Sequence, residues 1–255
     1  MRHNLLLLRV CPPLRPNSLS FIRPHIWLLL VAWLLASLLM LSCSPATPTL
    51  DATVDPQEVL RQSVDRVMSL ESAGFTLEHH RGSTVLLPGL EMRRVYGVAQ
   101  IPDRFQFTVE AESNGLYLET EMVVVRDRAY LTNFLTGQWE PVPMSVIPFR
   151  FADLGQTLAN IIEAVRDPTL TGTERFQGYD AHRIRGRVWS HDLVNLVPGA
   201  GSGQEVILEL WVDRAESLLL QVLITGPVVP TDLPDAVRAL TLDQINVPVE
   251  INLPE

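Results

Sequence analysis

Lysine is absent from this 255-residue chain, in which all 20 basic residues are arginine. Mechanisms that need a lysine amine, such as a Walker-type phosphate loop or a Schiff base, are therefore excluded. Cysteine is scarce, because Cys11 and Cys43 are too few for a disulfide framework or a zinc ribbon. The chain is 47% apolar and 19% charged, which is typical of one folded domain and excludes disordered and collagen-like proteins.

Acidic residues are absent from the first 43 positions, which carry four of the arginines. The remaining 16 arginines therefore face all 29 acids, which gives the rest of the chain a formal charge of −13. Nucleic-acid binding needs a basic surface that neutralises phosphates. A body this acidic excludes nucleic acid as a partner.

The N-terminal region contains an uncharged apolar run over residues 26–41 (IWLLLVAWLLASLLML), and arginines precede it. The run is slightly long for a secretory signal and slightly short for a membrane span. Because the positive charges lie before it, the start stays cytoplasmic and the body lies outside. We expect residues 1–43 to be an export signal.

The apolar run ends in a cysteine, within residues 39–43 (LMLSC). This stretch resembles a bacterial lipobox, in which the cysteine receives diacylglycerol and becomes the new N-terminus. Ser42 fits that pattern, whereas Met40 and Leu41 depart from it. The alternatives are an uncleaved anchor and an ordinary signal. We expect Cys43 to anchor the protein on the outer face of the cytoplasmic membrane, with residues 44–55 (SPATPTLDATVD) as a polar tether.

The body, residues 56–255, begins with a helix. Asp55 and Pro56 are typical of an N-cap and a first helical turn, and Gly74 is typical of a helix end. A second helix is predicted from Asp153, with Pro168 beyond its end, and Ser190 starts a short third helix that extends to residue 196.

Apolar residues with a period of two predict antiparallel strands, and Asn114-Gly115 predicts a hairpin. The predicted strands cover residues 75–80, 105–112, 116–125, 129–134, 178–189, 205–212, 218–225 and 240–251. These elements indicate an α+β domain with a large curved antiparallel sheet, one leading helix and inserted helices.

Catalytic and metal-binding motifs are not found. The glycine cluster at residues 199–203 fits neither a nucleotide-loop nor a nucleophile-elbow spacing, which favours a flexible hairpin connection. His79 and His80 are adjacent in a strand and point to opposite faces, so they cannot chelate one metal together. We expect no enzyme activity, no cofactor and no metal.

Three arginines, Arg183, Arg185 and Arg187, share one face of a predicted strand. Such an alternation is typical of the solvated face of a sheet. The alternative is contact with anionic lipid headgroups or with a partner.

Several stretches resemble the LppX/LprG (LppX_LprAFG) family of bacterial lipoproteins, in their order along residues 54–254. They are residues 97–104 (GVAQIPDR), 137–139 (GQW), 172–187 (GTERFQGYDAHRIRGR), 210–214 (LWVDR) and 240–254 (LTLDQINVPVEINLP). The resemblance implies a half-open antiparallel sheet wrapped around helices, as in the LolA/LolB fold. It also implies an apolar cavity for the acyl chains of a lipid or glycolipid, and no catalytic residues.

Alternate residues of a strand share one face of the sheet, and this alternation predicts which side chains would line such a cavity. The inserted helix is expected to contribute further lining residues. The candidates are Phe107, Val109, Leu116, Leu118, Met122, Val124, Ile161, Ile162, Leu208, Leu210, Leu220 and Val222. Two functions remain open: a lipid-binding carrier tethered at Cys43, and an envelope structural or interaction lipoprotein with a filled core. Cavity volume distinguishes them.

Overall fold

The computed structural model describes residues 54–147, 154–201 and 203–254. The expected export signal, Cys43 and almost the whole tether lie outside the described residues. The helices are α1 (Pro56–Met68) and α2 (Leu154–Glu163). The strands are β1 (Ser72–Arg81), β2 (Thr84–Leu87), β3 (Leu90–Gln100), β4 (Arg104–Ser113), β5 (Leu116–Val125), β6 (Arg128–Thr132), β7 (Trp139–Val142), β8 (Arg166–Phe176), β9 (Tyr179–Trp189), β10 (Glu205–Asp213), β11 (Leu219–Thr225) and β12 (Val237–Asp243).

All twelve strands form one antiparallel sheet, in the order β7-β6-β5-β4-β3-β1-β12-β11-β10-β9-β8, with β2 paired to β3 beside this path. Within the described residues β7 and β8 each have one neighbour, so the sheet is open. The prediction of a mostly antiparallel α+β domain is confirmed.

Strand direction places alternate connections at opposite ends of the sheet. One end, called here the loop end, carries the turns at residues 88–89, 114–115 and 133–138 and the loops at residues 190–204 and 226–236. The opposite end carries the turns at residues 101–103, 126–127, 177–178 and 214–218.

Helix α1 begins where the sequence predicts, because the Asp55 carboxylate accepts a hydrogen bond from the Gln57 N–H at 2.9 Å. It ends at Met68, however, and the prediction that Gly74 stops the helix is wrong. Gly74 lies inside β1, where an added Cβ would be 1.9 Å from the Asp243 carboxylate. Glycine is needed here because β1 and β12 approach each other closely. The sequence pattern does not distinguish such a glycine from one that ends a helix.

Two predictions need correction. No strand was predicted between α2 and residue 178, but β8 covers Arg166–Phe176, so Pro168 lies within a strand and does not merely follow α2. An edge strand tolerates proline because one side of it has no ladder to complete. The last strand ends at Asp243, not at Ile251, because Gln244 and Asn246 adopt positive φ angles and turn the chain out of the sheet.

The remaining differences are smaller. Strands β2 and β3 were not predicted, and the short helix predicted from Ser190 is a 3₁₀ turn that ends at Leu193. The predicted strand at residues 129–134 ends at Thr132.

The inner face of the sheet, defined by Phe75, Phe107, Leu210 and Val222, carries the main apolar core together with both helices. Helix α2 is buried along most of its length, and α1 packs against α2, β8, β10 and β11. The helices therefore lie against the part of the inner face formed around β8, β10 and β11.

The outer face is covered locally by the C-terminal segment. Ile251 is buried against Val123 and Val125, and its carbonyl accepts a hydrogen bond from Arg104 at 2.8 Å. This covering explains why consecutive residues at the end of β5 are all buried.

Gly97 allows two aromatic side chains to meet across three strands. It pairs with Phe75 on one side and Phe107 on the other, and their ring centroids are 6.5 Å apart. An added Cβ would lie 2.1 Å from the Gln106 carbonyl oxygen and 2.5 Å from the Phe107 Cα. Only glycine fits between them.

We expect Gly97→Ala to lower the free energy of unfolding by about 3 kcal/mol, because backbone atoms must move to admit the methyl group. Urea unfolding measures this change. The matched control is Gly172→Ala in β8, where an added Cβ meets nothing within 4 Å and the change should stay within about 0.5 kcal/mol. Equal effects of both substitutions would contradict this account of the β3–β4 contact.

Candidate functional site

A cavity of about 580 Å³ opens on the inner face, in the part of the sheet formed by β2 to β6. Its walls are mostly aliphatic, and the polar groups among its lining residues are few. The lining residues are Leu86, Leu87, Leu90, Val109, Ala111, Leu118, Glu119, Thr120, Met122, Phe134 and Ser145. It is partly open to solvent at the loop end, where Leu87 and Phe134 are 63% and 62% exposed.

Sequence parity located three of the lining residues. Val109, Leu118 and Met122 line the cavity from β4 and β5. The nominated residues that lie instead in the closely packed core of the inner face are Phe107, Val124, Ile161, Ile162, Leu208, Leu210 and Val222. The residues predicted to line the cavity therefore include some that do line it and others that belong to the packed core.

Two nominated residues do not face the interior. Leu116 is 63% exposed beside the β4–β5 turn. Leu220 packs on the outer face with Ala181 and Trp211. The β10–β11 register explains this position: Trp211 pairs with Gln221 and Val212 with Leu219, so Leu220 is an extra residue that reverses the parity.

Half of the lining residues that the strand alternation missed come from β2 and from segments outside the strands. Leu86, Leu87 and Leu90 flank the Pro88-Gly89 turn, and Phe134 lies in the β6–β7 loop. The stretch LLPGL at residues 86–90 carries a hairpin signal, two apolar runs around Pro-Gly, that could have predicted this wall.

A second, smaller cavity of about 340 Å³ lies between α1, α2 and the start of β8. Its walls include Gln57, Arg61, Asp65 and Glu163 beside the apolar Leu60 and Ile162. Charged walls of this kind are suited to water, whereas the larger cavity is suited to hydrocarbon.

A buried charge network lies on the inner face near the loop end. Arg238 and Asp232 form an ion pair at 2.5 Å, and each side chain is only 1% exposed. Asp232 also accepts the N–H groups of Val228 and Val229 at 2.8 and 3.0 Å. The pair therefore fastens the 226–236 loop over the sheet.

His79 completes this network from β1. Its Nε2 accepts a hydrogen bond from Arg238 Nε at 3.0 Å, and its Nδ1 lies 3.2 Å from the Arg93 carbonyl oxygen. Burial, and then the positive charge of Arg238, lower the pKa of His79 to about 4. His79 is therefore neutral at pH 7.

This pKa predicts a pH-dependent stability. Between about pH 6.5 and pH 4 the unfolded histidine binds a proton that the folded one does not, so stability is full above about 6.5 and falls as pH is lowered towards 4. Allowing for partial solvent exposure of His79, the loss is about 2 kcal/mol. Urea unfolding at about pH 7 and about pH 4.5 measures it.

The matched variant is His79→Gln, whose amide oxygen can still accept from Arg238 but does not titrate. Its stability should fall less between the two pH values than that of the parent. An identical fall in both proteins would show that His79 does not cause it.

The arginine row on β9 is already paired with acids. Arg183 lies 2.5 Å from Glu209, while Arg187 contacts Glu205 at 3.3 Å and also Asp167. Paired charges on a solvated sheet face leave little excess positive charge for lipid phosphates. Within the described residues no group of three His, Cys, Asp or Glu side chains is placed to hold a metal.

The chain belongs to the LppX_LprAFG lipoprotein family, whose model matches residues 55–250. The family predicted from the sequence is therefore confirmed. No curated protein matches the chain. Within the described residues, no helix has the length and apolar character to cross a membrane.

The solved structures that share this fold include two mycobacterial proteins. LprF from Mycobacterium bovis has a TM-score of 0.63 and 19% identity, over 78% of this chain and 96% of that one. The lipoprotein LppX from Mycobacterium tuberculosis has a TM-score of 0.56 and 20% identity, over 78% of this chain and 100% of that one. A LolA superfamily protein from Nitrosomonas europaea, at a TM-score of 0.27, 12% identity and coverage of 79% and 96%, is too distant to define the fold.

Proposed function

We propose that this protein is a membrane-anchored extracytoplasmic lipoprotein that binds the acyl chains of a lipid or glycolipid and carries or presents them in the cell envelope. The observation that carries the proposal is the apolar cavity of about 580 Å³ on the inner face. That volume lies within the range of about 300–1,000 Å³ found for ligand pockets. A closely packed core would contain no cavity of this volume.

The volume indicates the size class of the ligand. A cavity of about 580 Å³ is of the order needed for one long alkyl chain, at about 30 Å³ for each methylene-sized group. Each methylene transferred from water contributes about 0.8 kcal/mol. Aliphatic walls supply this stabilisation without any catalytic group.

The polar groups of the cavity indicate how a lipid would lie in it. Glu119, Thr120 and Ser145 are the polar lining residues, and Leu87 and Phe134 lie at the exposed edge. A headgroup would remain near this edge, with the alkyl chain against Val109 and Met122.

The half-open arrangement follows from how the inner face is divided. The helices lie against the part of the sheet around β8, β10 and β11, and the part with the cavity is left for the ligand. In this proposal the sheet wraps around the helices on one side and around the bound chain on the other, as the family resemblance implies.

A second candidate is an envelope structural or interaction lipoprotein that binds no ligand. The observation that favours it is the burial of Leu158 and Ile161 on α2, which are 0% and 1% exposed. A protein without a ligand would have no need of the apolar cavity of about 580 Å³, so we favour the lipid-binding proposal over this alternative.

Anchoring at Cys43 is part of the proposal, and it gives a direct prediction. Cys43→Ala removes the thiol that accepts diacylglycerol, so incorporation of a labelled fatty-acid analogue should be lost and the protein should remain uncleaved or be released. Cys11→Ala is the matched control and should be labelled like the parent. Unchanged labelling of Cys43→Ala would contradict lipidation at this residue.

The binding proposal is tested with a polarity-sensitive fluorescent fatty acid and a secreted form that begins at residue 44. We expect saturable fluorescence enhancement at about one probe per protein, consistent with the cavity volume. Long-chain fatty acids should displace the probe, and short-chain acids should not, because each methylene lost removes about 0.8 kcal/mol. No saturable enhancement would favour the ligand-free alternative.

A further inference from the structure

Exposed apolar side chains gather around the mouth of the cavity. Leu87, Leu116, Tyr117, Phe134 and Leu135 occupy the three turns of the loop end that border the cavity, and Leu135 is 81% exposed. Exposed groups of large apolar side chains mark surfaces that contact a protein or a membrane.

These three turns also lack charge. The stretches LLPGL (86–90), NGLYL (114–118) and NFLTGQ (133–138) contain no acidic or basic residue, in a chain with 29 acids. The nearest acids, Glu91, Glu112, Glu119 and Glu140, lie in the strands that these turns connect, and Glu119 accepts a hydrogen bond from the Tyr117 hydroxyl at 3.0 Å. Uncharged apolar tips with charges set back are suited to the interface of a bilayer.

The described domain begins at the same end of the sheet. The first turns of α1, at Gln57 and Leu60, lie with Val165 and Pro168 at the start of β8, which is at the loop end. The last turn of α1 lies at the opposite end, where Arg66 Nε donates to the Glu216 carbonyl at 2.8 Å. The domain therefore begins at its loop end.

The length of the tether limits the distance to the anchor. Residues 44–55 are twelve residues, which span at most about 40 Å when extended. A tether of this length allows the loop end of a chain anchored at Cys43 to reach the bilayer surface.

We propose that the three uncharged turns of the loop end insert into the interface of the lipid bilayer, so that the cavity opens directly onto the source of its ligand. This inference rests on the proposed function and adds the surface through which it works. The contact is apolar, so raising the salt concentration should not release it, unlike attachment through arginines and lipid phosphates.

The test uses the full chain, reconstituted in phosphatidylcholine vesicles, with Leu135→Cys in a Cys11→Ser background labelled with a polarity-sensitive dye. The matched control is Tyr179→Cys, an exposed aromatic position at the opposite end of the sheet. The background without an added cysteine should take no label, because Cys43 is expected to be acylated.

We expect the dye at residue 135 to emit at shorter wavelength and to be quenched by lipids that carry a spin label near the headgroup. The dye at residue 179 should remain aqueous and unquenched. Equal quenching at both positions, or none at residue 135, would overturn the proposal. This readout does not depend on bound ligand, so quenching at residue 135 without any lipid load would contradict only the proposed function.

The rate of lipid uptake from vesicles provides a second test of the proposal. Leu135→Ser removes an inserted side chain that does not line the cavity, so uptake of a fluorescent lipid from vesicles should slow about tenfold. The final load should equal that of the parent. An unchanged uptake rate would overturn the proposal, whereas a lower final load would assign Leu135 to the ligand site instead.

Discussion

Asp232→Asn should lower the free energy of unfolding by about 3–5 kcal/mol, because it leaves the guanidinium of Arg238 buried without a counter-charge. Both side chains are 1% exposed, and one terminal nitrogen of Arg238 already lacks a hydrogen-bond partner among the described residues. Little water can reach the group to compensate. The asparagine oxygen can still accept from the loop N–H groups, but the NH2 group then faces Arg238 and cannot accept from it, so the charge pair and its hydrogen bond are both lost.

Two further variants test this explanation by urea unfolding. Asp235→Asn breaks the exposed pair between Arg81 and Asp235, whose side chains are 62% and 54% exposed, and should cost less than about 1 kcal/mol. Adding Arg238→Met to Asp232→Asn removes the orphaned charge and should recover much of the stability. A cost for Asp232→Asn as small as that for Asp235→Asn would show that the buried pair does not fasten the 226–236 loop.

Leu118→Phe should reduce the amount of bound lipid about tenfold while leaving the fold intact. Leu118 lines the cavity and is only partly buried, so the larger ring can enter space that an alkyl chain would otherwise occupy. We expect its free energy of unfolding to change by less than about 1 kcal/mol, because an open cavity accepts volume that a packed core does not.

Leu210→Phe is the matched control in the closely packed part of the same face. Leu210 is completely buried in β10, so the same enlargement should destabilise by about 1–3 kcal/mol and leave the lipid load of the folded protein unchanged. Lipid load and unfolding are measured on one preparation of each variant. A Leu118→Phe variant with a full lipid load would contradict the position assigned to the alkyl chain.

The sequence predicted those parts of the fold whose signals are local. Asp55 and Pro56 predicted the start of α1, and the Asn114-Gly115 hairpin with its alternation predicted β5 with the bounds that the structure has. Period-two alternation also placed Leu118 and Met122 on the same face of β5 as the cavity.

What the sequence could not predict depends on pairing between distant segments. The extra residue at Leu220 reverses parity only because Trp211 pairs with Gln221, which no local pattern in β11 reveals. Pro168 is compatible with a strand only because β8 lies at an edge of the sheet. The division of the inner face between helices and cavity likewise results from tertiary packing.

The buried charge network was missed although a signal existed. Arg238 alternates with Leu240 and Leu242, so it occupies an inner-facing position of β12, where an arginine requires a buried partner. Its partner Asp232 lies in a loop, and His79 lies on a strand far away in sequence. The alternation predicts that such a partner exists, but not which residue it is.

Native mass spectrometry of the secreted form beginning at residue 44, purified without detergent, tests the central claim most directly. We predict a species that carries one lipid per protein, as a cavity of about 580 Å³ allows, and its loss in Leu118→Phe but not in Leu210→Phe. A lipid-free mass for the parent protein, together with no lipid in an organic extract of the same sample, would contradict the claim that this cavity holds acyl chains.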